Sequence, residues 1–296
     1  MKKSSFINMK NLKILFIISI IFSINLLNSY KVLGFEIYSK THKQKIEAQK
    51  QKIQNSKIYK TIEWCVGNQT FKSTENEYDQ NGNIISFIQY DNKGNLAKET
   101  KYTYNNGLLT NMTTYSNNKS IISMTNYTYD NNNKLVLNKF NINSSEAEIY
   151  YSYDKDDCLI EKTYHNIQGN FKRKNLYKYD LNNNVIEDTY YYGHNQIGYR
   201  WAYAYDKNNN KVEYISYDNK DIECSKEIYK YDSNENLIRT VIFDQDNKVF
   251  QRILWIYDEK QDLLKEKSIS NSFNKPHVRY FYEYLFYNKP SITYKH

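Results

Sequence analysis

Two stretches decide the reading: Tyr203-Ala204-Tyr205-Asp206-Lys207-Asn208-Asn209-Asn210 and, 26 residues further on, Tyr229-Lys230-Tyr231-Asp232-Ser233-Asn234-Glu235-Asn236. Each joins an aromatic-x-Tyr pair to an Asp/Asn-rich turn. In an extended chain the two rings of such a pair fall on one face. Worked outward, the second ring recurs at Tyr78, Tyr104, Tyr129, Tyr153, Tyr179, Tyr205, Tyr231 and Tyr257, with successive gaps of 26, 25, 24, 26, 26, 26 and 26. Asp follows at Asp79, Asp130, Asp154, Asp180, Asp206, Asp232 and Asp258, with Asn105 the exception. A fixed period of this size marks a tandem structural repeat.

A weaker anchor lies 11 or 12 residues after each strong one, at Tyr90, Tyr115, Phe140, Tyr164, Tyr190, Tyr217 and Phe243. Each unit is therefore two strand-turn halves. Asn81-Gly82 and Asn106-Gly107 are two-residue hairpin signals, because both residue types tolerate positive φ. Asn182-Asn183-Asn184 and Asn208-Asn209-Asn210 use the same device without Gly. Apolar pairs such as Ile84-Ile85 and Leu237-Ile238 open the following strands. The expected fold is all-β: tandem antiparallel hairpins of period about 26, with about 16 strands. Sheets of that size curl, split or close as twist accumulates. A long coiled sheet or open β-spiral is expected, its Tyr faces lining one side.

Three segments follow. Residues 1–34 read as a secretory signal peptide: Lys10 and Lys13 precede an apolar run from Ile14 to Leu27, shorter than the roughly 20 residues of a membrane span. An uncleaved anchor is the alternative, and membrane contact is expected only through it. Residues 35–60 are a basic lead-in, helical or flexible. Residues 61–296 are the array, with a C-terminal cap from about residue 268 that includes Tyr280-Phe281-Tyr282-Glu283-Tyr284. Export places the protein outside the cytoplasm: secreted, periplasmic or on the cell surface, in a bacterium.

The formal charge of +8 suggests nucleic acid until it is mapped. Residues 1–34 carry +5 and residues 35–60 another +5, so the array itself is −2. It lacks the basic stripe that phosphate binding demands, and no nucleic-acid partner is expected. Cys65, Cys158 and Cys224 sit in distant units. A regular array separates them by several strands at about 4.8 Å each, beyond disulfide reach, so free thiols are expected.

The strings Tyr78-Asp79-Gln80-Asn81-Gly82-Asn83 and Tyr90-Asp91-Asn92-Lys93-Gly94-Asn95 resemble the YD repeat of Rhs-type proteins, over about residues 76–260. The resemblance implies coiled β-sheets, in that family sometimes shells around a C-terminal toxin. This chain departs from the pattern: most units lack the turn Gly, and the Asp-Pro-x-Gly segment that ends Rhs cores is missing, the two prolines being Pro276 and Pro290. The expected form is a short secreted one without a toxin domain. A weaker similarity is to aromatic hairpin repeats that bind cell-wall polymers, without their Gly-Trp pairs.

Chemistry is sparse. Strings such as Asp79/Asn81/Asn83 and Asp180/Asn182/Asn184 copy the opening of a calcium loop, but position 12, where a bidentate Glu belongs, is Tyr90 or Tyr191. They read as turn formers that hydrogen-bond their own backbone, with weak calcium binding as the alternative. Five scattered histidines (His42, His165, His194, His277, His296) show no ligand spacing. No catalytic, metal or cofactor residues are assigned, and the anchor Tyr and Asp residues are structural. The expected function is an exported, non-enzymatic interaction or structural module with a protein or cell-surface polysaccharide partner. The alternative is a carbohydrate-binding module using Tyr/Asn surfaces, which requires the Tyr rings to be wet.

Overall fold

The computed structural model describes residues 40–67, 69–142, 145–166, 172–193, 196–260, 262–271, 276–287 and 289–294. The signal segment and residues 35–39 lie outside them. The described residues open with helix α1 (Lys40–Ser56), so the basic lead-in is helical over 40–56, and its last residues, 58–60, belong to a strand. Nineteen strands follow among the described residues: β1 (Ile58–Val66), β2 (Thr70–Tyr78), β3 (Ile84–Tyr90), β4 (Leu96–Asn105), β5 (Leu108–Ser116), β6 (Ile121–Tyr129), β7 (Leu135–Ile142), β8 (Ser145–Tyr153), β9 (Leu159–Asn166) and β10 (Lys172–Tyr179). Then come β11 (Val185–Tyr192), β12 (Gln196–Tyr205), β13 (Lys211–Tyr217), β14 (Glu223–Tyr231), β15 (Leu237–Phe243), β16 (Val249–Tyr257), β17 (Leu264–Asn271), β18 (Pro276–Phe286) and β19 (Lys289–Thr293).

Each strand pairs antiparallel with its sequence neighbours, as the repeat demands. The open spiral is corrected at the ends. β1, whose first residues fall inside the stretch read as lead-in, pairs with β2 on one edge and β18 on the other, from Ile58↔Phe286 to Val66↔Arg279. Eighteen strands thus close into a barrel. The supposed C-terminal cap is its closing strand, and β19 covers the part of the free β18 edge that β17 leaves, at Glu283↔Thr293. Closure has a physical reason: it removes the two unpaired edges that an open spiral exposes. A ring this large encloses a lumen rather than a filled core.

The seam is locked from inside. Glu63 on β1 and Lys267 on β17 flank β18, and the Lys267 ammonium donates to Glu63 Oε2 at 2.8 Å across it. The Tyr282 hydroxyl of β18 donates to the same oxygen at 2.7 Å. Burial pushes the Glu63 carboxyl up, but the Lys267 charge and the hydrogen bonds from Lys267, Tyr282 and Ser73 outweigh it and hold it below the usual range.

Because paired residues share a face, the registers sort every strand. Inward go the first rings of the aromatic-x-Tyr pairs: Tyr102, Tyr127, Tyr151, Tyr177, Tyr229 and Trp255 are all buried. Outward go ion pairs such as Lys60–Glu75–Lys72, Lys139–Glu148, Lys178–Glu187 and Arg279–Glu266.

Candidate functional site: an aromatic wall inside the barrel

The anchors build one rim. At Asp79, Asp130, Asp154, Asp180, Asp206 and Asp232, Oδ1 accepts the backbone N–H groups two and four residues on, at 2.8–2.9 Å. The residue three after the Asp takes positive φ, as in Gly82 (74°), Asn133 (61°), Asn183 (60°) and Asn209 (60°). These are three-residue loops with a left-handed last position, which differs from the two-residue turn expected at Asn81-Gly82. Asn106 (φ 49°) and Gly107 (φ 78°) do form a two-residue turn, and that is where Asn105 replaces Asp. Asp258 uses a longer loop and accepts from the Lys260 amide at 3.0 Å.

The second Tyr of each pair donates its hydroxyl to a carbonyl at the start of the preceding odd strand. Tyr104, Tyr129, Tyr153, Tyr179, Tyr205, Tyr231 and Tyr257 reach the carbonyls of Ile84, Leu109, Leu135, Leu159, Val185, Lys211 and Leu237 at 2.6–3.1 Å. Tyr78 is buried, and its own carbonyl accepts from Tyr287 at 2.9 Å. The Tyr-x-Tyr faces are thus buried or committed. They offer no wet platform for a sugar.

Helix α1 lies against this rim. Lys45 hydrogen-bonds the Asn209 carbonyl and Asn210 Oδ1, and Lys52 pairs with Asp262 at 2.7 Å. Lys50 and Gln54 pass so close to the β2–β3 turn that a Cβ on Gly82 would lie 2.6 Å from the Lys50 carbonyl oxygen. Those three turns lie on the arc that runs from β12 through β18 to β3, and Ile46 and Ile53 of the helix are packed on its underside. Helix α1 therefore lies across one mouth of the barrel. The other carries the weak turns.

The weak anchors change face, and spacing explains it. Tyr90, Tyr115, Tyr217 and Phe243 lie six residues after the residue that closes the preceding strong turn: Ile84, Leu109, Lys211 and Leu237. They point outward, each under a cation: Lys72, Lys101, Arg200 and Lys226, at 3.8–5.9 Å from the ring centroid. Phe140, Tyr164 and Tyr190 lie five residues after Leu135, Leu159 and Val185. One residue less flips a strand position to the other face. These three consecutive rings turn into the lumen.

They meet a second departure from the repeat. Four residues before the strong Tyr, the inward position holds Thr100, Thr125, Ile149, Asn175, Trp201, Glu227 or Ile253. Six before, it holds Lys98, Ser123, Ala147, Arg173, Tyr199, Ser225 or Gln251. Trp201 and Tyr199 are the aromatic members. With Tyr164, Arg173, Asn175 and Tyr190 they line a cavity of about 330 Å³ on the inner wall of β9–β12. The Tyr199 and Trp201 planes lie within 25° of parallel, centroids 6.3 Å apart, and Tyr190 meets Tyr192 edge-on at 4.9 Å. Asn175, buried beneath, donates to Asp188 at 2.6 Å. Tyr192 and Tyr199 stay more than a third exposed.

Gly198 shapes this wall. It is the bulged residue between Tyr190↔Tyr199 and Tyr191↔Ile197, and a Cβ there would sit 2.3 Å from Tyr192 Cε2 and 2.9 Å from Tyr190 Cδ1. The missing side chain lets both rings fold over the strand. None of these wall residues stood out as a site in the sequence. Aligning the units at the minus-four and minus-six positions, and separating weak anchors by one residue of spacing, marks them. The three cysteines are unpaired, and no cluster of metal-ligating side chains occurs among the described residues.

No family model matches the chain, and no curated protein does. Among solved structures, it is similar to a porin-like protein from Bacteroides uniformis, with TM-score 0.43 and 8% identity over 78% of this chain and 97% of that one. A porin-like protein from Bacteroides vulgatus gives 0.39 and 10% over 78% and 99%. TcdB2-TccC3 without its hypervariable C-terminal region gives 0.29 and 12% over 70% of this chain, which spans 14% of that one.

Proposed function

We propose that the chain is an exported, non-enzymatic YD-repeat barrel that binds its ligand inside, on the wall of β9–β12, through the mouth opposite α1. The carrying observation is the local break in an otherwise uniform repeat. A scaffold needs the same residue in every unit, whereas a ligand site needs a different one, and the departures at Tyr164, Tyr190, Arg173, Tyr199 and Trp201 converge on one cavity. A mostly aromatic concavity with a few polar groups is the usual character of a ligand pocket. The anchor carboxylates are occupied with turn amides, which supports a binding rather than a hydrolytic role.

The outer wall supports a water-exposed barrel. A bilayer-spanning barrel needs an apolar outward band, yet even β15–β16, where Leu254 and Ile256 are exposed, places Arg239 and Arg252 outward among them. No helix among the described residues is long and apolar enough to cross a membrane.

A second reading, a protein partner, rests on the repeated outer ladder of cation-covered rings. A glycan array and a pull-down from cell-envelope extract, each run with wild type and Trp201→Ala, separate the two. Binding lost in the variant supports the inner wall. Binding retained at full strength by the variant refutes it.

A further inference from the structure

Resting on the inner-wall reading, we infer that the wall takes an acidic sugar: a pyranose ring carrying a carboxylate, as in a uronic-acid unit of a polysaccharide. The near-parallel Tyr199 and Trp201 rings present a flat apolar surface edged by polar atoms, which suits a molecule that is itself apolar on its ring faces and polar round its rim. The Tyr164, Tyr190 and Tyr199 hydroxyls, with Asn175, supply hydrogen-bonding groups around that platform.

Charge selects the acid. The ionised side chains facing inward beside the cavity are Lys162 and Arg173 against Asp188, a local balance of +1. Lys162 is buried over the Tyr177 ring, and Asp188 is engaged by Asn175. The exposed cation at the cavity is Arg173, which hydrogen-bonds the Tyr190 hydroxyl and has five N–H donors to share. Its planar guanidinium matches a carboxylate with two parallel hydrogen bonds. At the equivalent position the other units carry Lys98, Ser123, Ala147, Tyr199, Ser225 and Gln251, so this fork is peculiar to the unit beside the aromatic platform.

The test is calorimetric titration of the full chain with trigalacturonate and with the neutral galactose trimer of the same linkage. The acidic trimer is expected to bind at least tenfold tighter, an advantage that shrinks with added salt. Arg173→Gln brings it down to the neutral level, and Trp201→Ala abolishes both. Gly198→Ala pushes the Tyr190 and Tyr192 rings aside and weakens both, with an unchanged melting curve showing that the barrel is intact. Equal affinity for the two trimers with a silent Arg173→Gln overturns the acidic preference and leaves the binding barrel standing. No heat from either trimer overturns the sugar assignment, and the pull-down with Trp201→Ala then decides separately whether the wall binds anything.

Discussion

The two rims of the barrel are made from the same hairpin unit and do opposite things. The strong-turn rim spends its residues on itself: Asp carboxylates take turn amides, Tyr hydroxyls take strand carbonyls, and α1 lies over the result. The weak-turn rim keeps the turn device at Asp91, Asp218 and Asp244, whereas Asn141, His165 and Tyr191 stand in place of the Asp after Phe140, Tyr164 and Tyr190, the rings that turn inward. A repeat protein can evolve a site only where its units are free to differ. Here that freedom sits on the rim away from the helix.

The comparison can be broken most severely at the seam that holds both rims in one ring. Lys267→Met leaves Glu63 buried without its cation and is expected to cost about 3–5 kcal/mol, read as a lower denaturant midpoint. Glu63→Leu combined with Lys267→Met should recover most of that loss, because the charge and its partner leave together.

Gly82 and Gly94 test the rims directly, since both have left-handed φ, 74° and 79°. Gly94→Ala meets open space and should cost only the backbone term, about 1 kcal/mol. Gly82→Ala adds a clash with the Lys50 carbonyl and should cost about twice as much, with α1 amides losing hydrogen-exchange protection while strand amides keep theirs. Equal losses would mean that the helix does not press on that rim.

A smaller contrast lies in single hydroxyls. Tyr104→Phe deletes a 2.9 Å bond to the Ile84 carbonyl and should cost about 1 kcal/mol. Tyr115→Phe, outward under Lys101 at the other end, should stay within about 0.5 kcal/mol.

The smallest effect is acid sensitivity. Asp91 and Asp218 are held below the usual carboxylate range by the turn amides they accept, chiefly those of Asn95 and Ile222. At Asp262 burial pushes the carboxyl up, but hydrogen bonds from Lys52 and Asn236 bring it below the usual range. A depressed folded pKa stabilises above the unfolded value of about 3.9 and is lost as pH falls through the folded one. The melting temperature should be flat from pH 8 to about 5 and drop below about 4. Asp218→Asn should shallow that drop. An unchanged slope in this variant would remove its turn from the account.

The period, the hairpins and the Asp that caps its own turn were legible in the sequence, because Tyr-Asp-x-Asn states its local chemistry within six residues. The turn length was not, since the two-residue turn expected at Asn81-Gly82 is a three-residue loop. Closure was not. It depends on β1, whose Ile58-Tyr59-Lys60-Thr61-Ile62-Glu63 carries no Tyr-Asp signal and whose partner strand lies some 220 residues away. The wall was half legible: its rings are weak anchors by sequence, but the spacing from the strong anchor, 11 for Tyr115 as for Phe140, Tyr164 and Tyr190, does not show which face they take. The count of five or six residues from the one that closes the turn does, and that requires the turn length. In a strand one residue is the whole difference between inside and outside.

The seam also sets how the barrel must assemble. Among the described strands, β1–β18 is the pairing that joins segments distant in sequence, with Glu63 and Tyr282 separated by 219 residues. All the other strands zip with neighbours, on the microsecond scale of hairpins. Until the last step, β1 and β18 are both open edges, and an open edge will pair with any chain that offers the right register. A second copy offers the same register. The contest between a barrel that closes on itself and two chains that exchange their final strands is a contest between one molecule's geometry and the concentration of its copies.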